Sequence, residues 1–382
     1  MFKYIALFLI PITCFAYPQF ASFGYRSCLV CHYNPMGNGP LNDYGRAVSA
    51  TAVSSRELYS KTTKDSEIAE NSSFFFGTFN KNTWLRPSID YRGIQIESAV
   101  NKDDGTSRFI NMQGSVSLAL QNKDRSVIAV ADIGHAPAPF SGGESGVRSR
   151  EHYVGYRPRP NIGIYTGLMD IAYGVRLVDH TAFSRRNLGL AQNDQTHGVL
   201  FHYMDEKYEI GIHGILGSLF EESNLRQSGG SIYSEFSLTP KWHLGSSVMM
   251  TSSSFKEVNA LGVHSRNIIG KNSIILSEIG AKNEKYAAQS NSKTGLYGMI
   301  RTQTKFVRGL FFNTGIDHYQ SDLSSNGKSW RYSLGLQVFP IQRVELRFDL
   351  STTRSGEFLS NLVDANDSEK SYDLNSQLHL WF

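Results

Sequence analysis

From residue 74 onward, polar and apolar residues alternate one by one along most of this chain, the period of strands with two unlike faces. At the carboxyl end Tyr372, Leu374, Leu378, Leu380 and Phe382 share one face, and Asp373, Asn375, Gln377, His379 and Trp381 the other. Val344, Leu346, Phe348 and Leu350 alternate with Glu345, Arg347, Asp349 and Ser351; Trp330, Tyr332, Leu334, Leu336 and Val338 alternate with Arg331, Ser333, Gly335 and Gln337. Ile110, Met112, Val116 and Leu118 alternate likewise with Asn111, Gln113, Ser115 and Ser117. Gly93 interrupts the pattern between Ile89/Tyr91 and Ile94/Ile96, where a bulge is expected.

Alternation alone fits a soluble sandwich as well as a membrane barrel, and the connections separate the two. Short links (121–125, 157–161, 204–207, 238–241, 270–272, 304–308, 340–343) take turns with longer ones (101–107, 137–150, 174–195, 220–230, 252–258, 281–293, 320–328, 353–370). Short turns at one end and long loops at the other mark an outer-membrane barrel. The expected fold is all-β: a transmembrane antiparallel β-barrel of about sixteen strands over 74–382, porin-like, with both chain ends on the periplasmic side. Phe382 resembles the terminal aromatic signal by which bacterial outer-membrane barrels are recognised for assembly.

Composition agrees: 34 Gly, 23 Phe and 19 Tyr suit many alternating strands with aromatic girdles. No run approaches the ~20 apolar residues of a spanning helix. Lys3, the short apolar run Tyr4–Ile12 and Cys14-Phe15-Ala16 read as a secretory signal peptide, 1–16, cleaved before Tyr17. Lipidation of Cys14 is the alternative, against which Pro11-Ile12-Thr13 lack the small residues it needs. The net charge of +4, with both signs interspersed, gives no support to a nucleic-acid partner; lipid of the outer membrane is the expected surrounding.

Cleavage leaves two cysteines, both in Cys28-Leu29-Val30-Cys31-His32. Two thiols and an adjacent imidazole in C-x-x-C-H spacing are the attachment site of one covalent haem c: Cys28 and Cys31 each bond a vinyl group, and His32 is the proximal ligand of the haem iron. A chance disulfide or half a zinc site is the bland alternative, and zinc needs further ligands nearby. Residues 17–60 are expected to form a cytochrome c-like segment, with Phe20, Phe23 and Tyr25 as walls, turns at Asn34-Pro35 and Gly37-Asn38-Gly39-Pro40, and a helix within 45–59. A polar linker, 61–73, follows. With this segment in the periplasmic mouth, the distal iron ligand is sought among Met36, His202, His243 and His379, with His213 deeper on the same face. Each also reads as an ordinary core or lumen residue, and a five-coordinate iron is the alternative.

The connection from Tyr173 to Gln195, third of the long loops, carries Arg176, Asp179, His180, Arg185 and Arg186. In sixteen-stranded porins the corresponding loop folds inward and narrows the pore, and here its cations would stand near haem propionates or screen passing anions. A solvated charged loop, or a metal site at Asp179 and His180, are the other readings.

Taken together, Phe20-Ala21, Gly24, the pentapeptide and Gly45-Arg46, followed by a single barrel, resemble the fused monohaem cytochrome c–porins of Gram-negative outer membranes, best known from iron-oxidising bacteria. Tyr173-Gly174-Val175-Arg176, Asp179-His180-Thr181 and Arg185-Arg186 are similar to an outer-loop motif of cytochrome-associated porins. The resemblance implies one-electron transfer at or across the outer membrane, with a periplasmic redox partner such as a soluble cytochrome and an extracellular donor such as Fe(II). No general acid, base or nucleophile constellation stands out, so electron transfer is expected rather than turnover of an organic substrate. The competing readings are a diffusion porin whose N-terminal segment is a plug or redox sensor, and a haem peroxidase, which needs an open iron site and a distal base.

Overall fold

A computed structural model describes residues 25, 27–79, 84–100, 105–137, 145–177, 179, 181–289, 291–325, 327–355 and 370–382. The signal-peptide region, Phe20, Phe23 and His180 therefore lie outside the described residues.

Sixteen strands form: β1 (Leu85–Val100), β2 (Thr106–Gln121), β3 (Val127–Ala136), β4 (Gly146–Arg159), β5 (Ile162–Met169), β6 (Thr196–Met204), β7 (Tyr208–Gly217) and β8 (Ser228–Thr239). They continue as β9 (Trp242–Ser252), β10 (Lys256–Ile269), β11 (Ser273–Tyr286), β12 (Lys293–Val307), β13 (Leu310–Gln320), β14 (Lys328–Val338), β15 (Val344–Ser355) and β16 (Lys370–Trp381). Each pairs antiparallel with its sequence neighbours, and β1 closes on β16, so no edge is left open. The alternation sorts as a membrane barrel requires: Leu334, Leu336, Phe348, Leu350, Tyr372 and Leu374 are exposed on the outside, while Arg331, Gln337, Glu345 and His379 are buried in the lumen. A soluble sandwich would have the reverse, since its apolar face must be the covered one.

The bulge lies where Gly93 marked it, but the extra residue is on the partner strand. Arg92 pairs with Gln113 and Gly93 with Asn111, leaving Met112 unopposed in β2. The insertion flips parity along β2: Val116 and Leu118 face outward, whereas Met112 is buried and lines the lumen with Ile110, Ile94 and Ile96. The single face expected for Ile110, Met112, Val116 and Leu118 is thus two faces.

The lumen is filled from both ends. Before β1, a 3-10 turn (Cys28–Val30), helix α1 (Asp43–Val48) running into a π-helical turn (Ser49–Val53), and α2 (Asp65–Asn71) occupy the short-turn end. The helix expected within 45–59 starts earlier because the Asn42 side chain accepts from Gly45 N at 2.9 Å and caps it. The stretch expected to be a linker contains α2, and the barrel proper starts at Leu85 rather than at 74.

This segment is tied to the barrel by Arg86 to Asp43 (2.8 Å), Arg46 to Ser88 (2.9 Å), Ser55 N to Phe339 O (2.8 Å) and Arg308 to Ser54 O (2.6 Å).

From the other end, residues 170–195, between β5 and β6, turn into the lumen as the constriction-loop reading requires. Ile171, Tyr173, Leu188 and Leu190 pack on Ile215, Met249, Val258 and Tyr297. Asp179 accepts from Arg301 (2.8 Å) and Arg331 (2.7 Å), and Arg331 also donates to the Thr181 hydroxyl at 2.6 Å. Those two guanidinium groups occupy the Asp179 carboxylate oxygen, which argues against the metal site considered for Asp179 and His180. The short helix α3 (Phe183–Arg186) carries Arg185, fully buried, which donates to Tyr173 O at 2.7 Å and Leu190 O at 3.2 Å and so staples the loop to itself.

Candidate functional site

Local rules place the pentapeptide. Ser27 caps the 3-10 turn by accepting from Leu29 N (3.2 Å), and its own hydroxyl donates to Glu209 on β7 at 2.5 Å. Cys31 N (3.1 Å) and His32 N (2.8 Å) both donate to Cys28 O, so the turn winds Cys28, Cys31 and His32 toward one side. Downstream, the Asn42 amide donates to Val30 O (3.1 Å) and His32 O (3.3 Å), and Asn34 donates to Glu151 on β4 at 2.9 Å.

Helix α1 is pressed so close behind the turn that a Cβ at Gly45 would collide with the Cys31 carbonyl. Substituting G45V is expected to cost about 1–3 kcal/mol by overpacking. It should also lower the haem-to-protein ratio of purified barrels, read by haem absorbance against protein mass.

The turn lies in the barrel lumen, toward the short-turn end. Cys28, Cys31 and His32 line one chamber with Asp90 and Arg92 of β1, Asp132 of β3, Arg150 and Glu151 of β4, and the inward loop's Arg176, Arg185 and Leu190. Two lumen carboxylates tether it there: Glu209, beside the short turn before β7, and Glu151, deeper on β4. Phe339, His379 and Trp381 line the chamber from the short-turn side. It encloses about 1630 Å³ free of atoms, counting its opening to solvent.

The chemistry of the three side chains follows from this enclosure. His32 Nδ1 lies 3.0 Å from Asn38 O. A carbonyl only accepts, so Nδ1 carries the proton and the lone pair falls on Nε2, the arrangement of a ligating imidazole held by an outer partner. Burial pushes the His32 imidazole down to about 4, which keeps it neutral at physiological pH.

Burial likewise pushes the Cys28 thiol up to about 11 and the Cys31 thiol up to about 12. Metal binding and disulfide exchange need thiolates, which this site disfavours, whereas an uncharged thioether suffers no such penalty. Among the described residues, no three His, Cys, Asp or Glu side chains come together as a metal cluster, so a zinc reading of Cys28 and Cys31 lacks partners there.

The chamber also suits a group bearing carboxylates, since Arg46 Nε and Nη1, Arg92 Nε, Arg150 Nε and Arg185 Nη2 are buried donors without an acceptor. The residues present therefore fit a covalent haem: thioethers at Cys28 and Cys31, imidazole at His32, and cations around it.

The candidates for the distal position divide. Met36 turns away into an apolar cluster with Tyr33, Phe74 and Leu200. His202 is bound to Glu209 at 3.0 Å and His243 to Ser237 at 2.8 Å, and neither lines the chamber. His213 is buried with no hydrogen bond on either ring nitrogen and also lies outside the chamber lining. Of the four, His379 alone lines it, with Nδ1 2.9 Å from Glu345 and Nε2 3.3 Å from Asp90. Tyr25 lines the chamber as expected, its hydroxyl 2.5 Å from that of Tyr44.

Arg150, Glu151 and Asn38 were not singled out by sequence. Arg150 had been placed at the end of a long loop, whereas it lies five residues into β4. It sits at a bulge: Asp132 pairs with Glu151 and Ile133 with Ser149, so Arg150 and Glu151, adjacent in sequence, both line the chamber and strand parity gives no signal for it.

No family model matches the chain, and no curated protein matches it. Solved structures do. OmpT of Vibrio cholerae in its loop L8 deletion form is 9% identical, covers 78% of this chain and 100% of its own, and superposes with a TM-score of 0.59. The anion-selective porin from Comamonas acidovorans is 11% identical over 78% of this chain and 99% of its own (TM-score 0.59). The outer membrane channel DcaP of Acinetobacter baumannii is 12% identical over 78% and 97% (TM-score 0.56). At such identities the likeness is one of fold: the chain has the barrel of outer-membrane porins.

Proposed function

We propose that this chain is an outer-membrane electron carrier that holds one covalent haem inside its barrel. The observation that carries the reading is the convergence of Cys28, Cys31 and His32 on one lumen chamber, with His32 Nδ1 bound to Asn38 O at 3.0 Å. When bound, the haem supplies one-electron redox chemistry at its iron. Cys28 and Cys31 fix the group to the chain, and His32 gives its Nε2 lone pair. Asn38 holds the imidazole ring in that orientation. The barrel wall separates the chamber from lipid, and the inward loop and the N-terminal segment limit access of water, which together with nearby charge sets the potential.

A diffusion porin is the competing reading, supported by the shared fold; the two insertions that fill the lumen weigh against it. Haem staining of the denatured protein and single-channel conductance separate them. A stained band with little conductance is expected, and reduction of that protein by externally added Fe(II) would extend the reading to an extracellular donor. An unstained protein that conducts freely ends it.

A further inference from the structure

We infer that Arg150 is the centre of an anion clamp in the chamber that receives a carboxylate of the tetrapyrrole, so that the group is held by charge as well as by its thioethers. The inference rests on the haem reading above. Six guanidinium groups line the chamber: Arg46, Arg92, Arg150, Arg176, Arg185 and Arg266. Three carboxylates, Asp90, Asp132 and Glu151, line it with them, which leaves a positive excess.

Most of the six are engaged by the protein. Arg266 donates to Glu235 (2.7 Å), Arg176 pairs with Asp170, Arg46 holds Ser88 and Phe382 O, and Arg185 holds two carbonyls of its own loop. Arg150 differs. It is 4% exposed, and among the described residues it makes no hydrogen bond and no ion pair.

Its buried Nε has no acceptor, and the Asp132 and Glu151 carboxylates act on it only through space, so a hydrogen-bonding anion is what the group lacks. Arg–carboxylate pairing is the strong form of that contact. The chamber wall nearby carries further buried donors without partners, Arg46 Nε and Nη1 and Arg185 Nη2. Two carboxylates on one rigid ring, tethered in the same chamber at Cys28 and Cys31, match cations presented by α1, β4 and the inward loop. A free small carboxylate has the same chemistry without the tether, and the test must tell the two apart.

The test uses the full-length, haem-loaded protein, with the potential of R150Q and R150K measured by spectroelectrochemistry between pH 5 and 9. R150Q should keep its covalent haem but favour the oxidised form about tenfold more, ~59 mV for one electron. Its potential should also gain a pH dependence as a carboxylate loses its cation, and R150K should restore most of both. An R150Q protein with full haem, an unchanged potential and a flat pH profile overturns the clamp while leaving the haem reading intact. A parent protein without haem overturns the reading itself.

If R150Q fails to assemble, resonance Raman on the parent decides: a propionate bending band that shifts between pH 5 and 7 means solvated carboxylates and overturns the clamp, and a fixed band supports it. Succinate titrated into the parent should leave the potential unmoved; a shift means the cations are open to free carboxylates, which also overturns the proposal.

Discussion

The C28A/C31A double variant should run on a denaturing gel with no haem stain, while migrating as a folded barrel when it is left unheated. The two outcomes separate because the thiols take no part in closing the barrel, which rests on sixteen antiparallel pairings including β1 with β16. Covalent loading should fall to background, a loss of at least about a hundredfold, since among the described residues only these two cysteines offer a thioether. Each single variant should keep one bond, and its pyridine haemochrome band should move to longer wavelength because one vinyl group stays unsaturated. H32A should retain some stain with an altered reduced spectrum, while variants at His202, His243 and Met36, which do not line the chamber, should keep the parent's spectrum. Stain that persists in the double variant would sink the assignment.

How much of this was legible beforehand follows from which interactions are local. Strand parity, turn length and the C-x-x-C-H spacing are all set within about ten residues, and they led to sixteen strands, to the inward third loop and to the pentapeptide. What escaped depends on residues far apart in sequence. The seat of the pentapeptide in the lumen is fixed by Ser27 to Glu209 and Asn34 to Glu151, pairs more than a hundred residues apart. The position of Met112 is fixed by a register slip against β1 that the composition of β2 alone does not show. Lumen histidines such as His202 and His379 share one parity and each lies beside a carboxylate, yet only His379 lines the chamber, which no periodicity records. The stretch 61–73 is polar enough to read as a linker, yet Ile68 is buried and Arg308 and Arg343, from two short turns, reach Asp65 and Asn71 O, which docks α2.

Deleting residues 27–79 should convert a nearly closed barrel into a conducting one. Porins of sixteen to eighteen strands leave an aqueous channel unless something fills them. Here the short-turn end is filled by α1, the π turn and α2, held by Arg86 to Asp43 (2.8 Å), Arg308 to Ala50 O (2.9 Å) and Lys305 to Ala52 O (3.2 Å). The inward loop forms the second partition: Leu177 and Gln192 line both the His32 chamber and a further cavity bounded by Arg301, Arg331 and Arg347. That loop is pinned by Asp179 between Arg301 and Arg331, with contacts independent of the N-terminal segment, so the deletion removes one partition and leaves the other.

Single-channel conductance should therefore rise by roughly tenfold or more over the full-length chain, yet stay below that of an open sixteen-stranded pore. Adding D179A to the deletion, which unpins the loop from Arg301 and Arg331 while Asp317 still holds both, should raise it again. Equal conductance for the full-length and deleted chains would mean that the segment does not block the lumen in the membrane. The chamber around His32 would then be open to solutes, and an electron carrier insulated by its barrel would lose its physical basis.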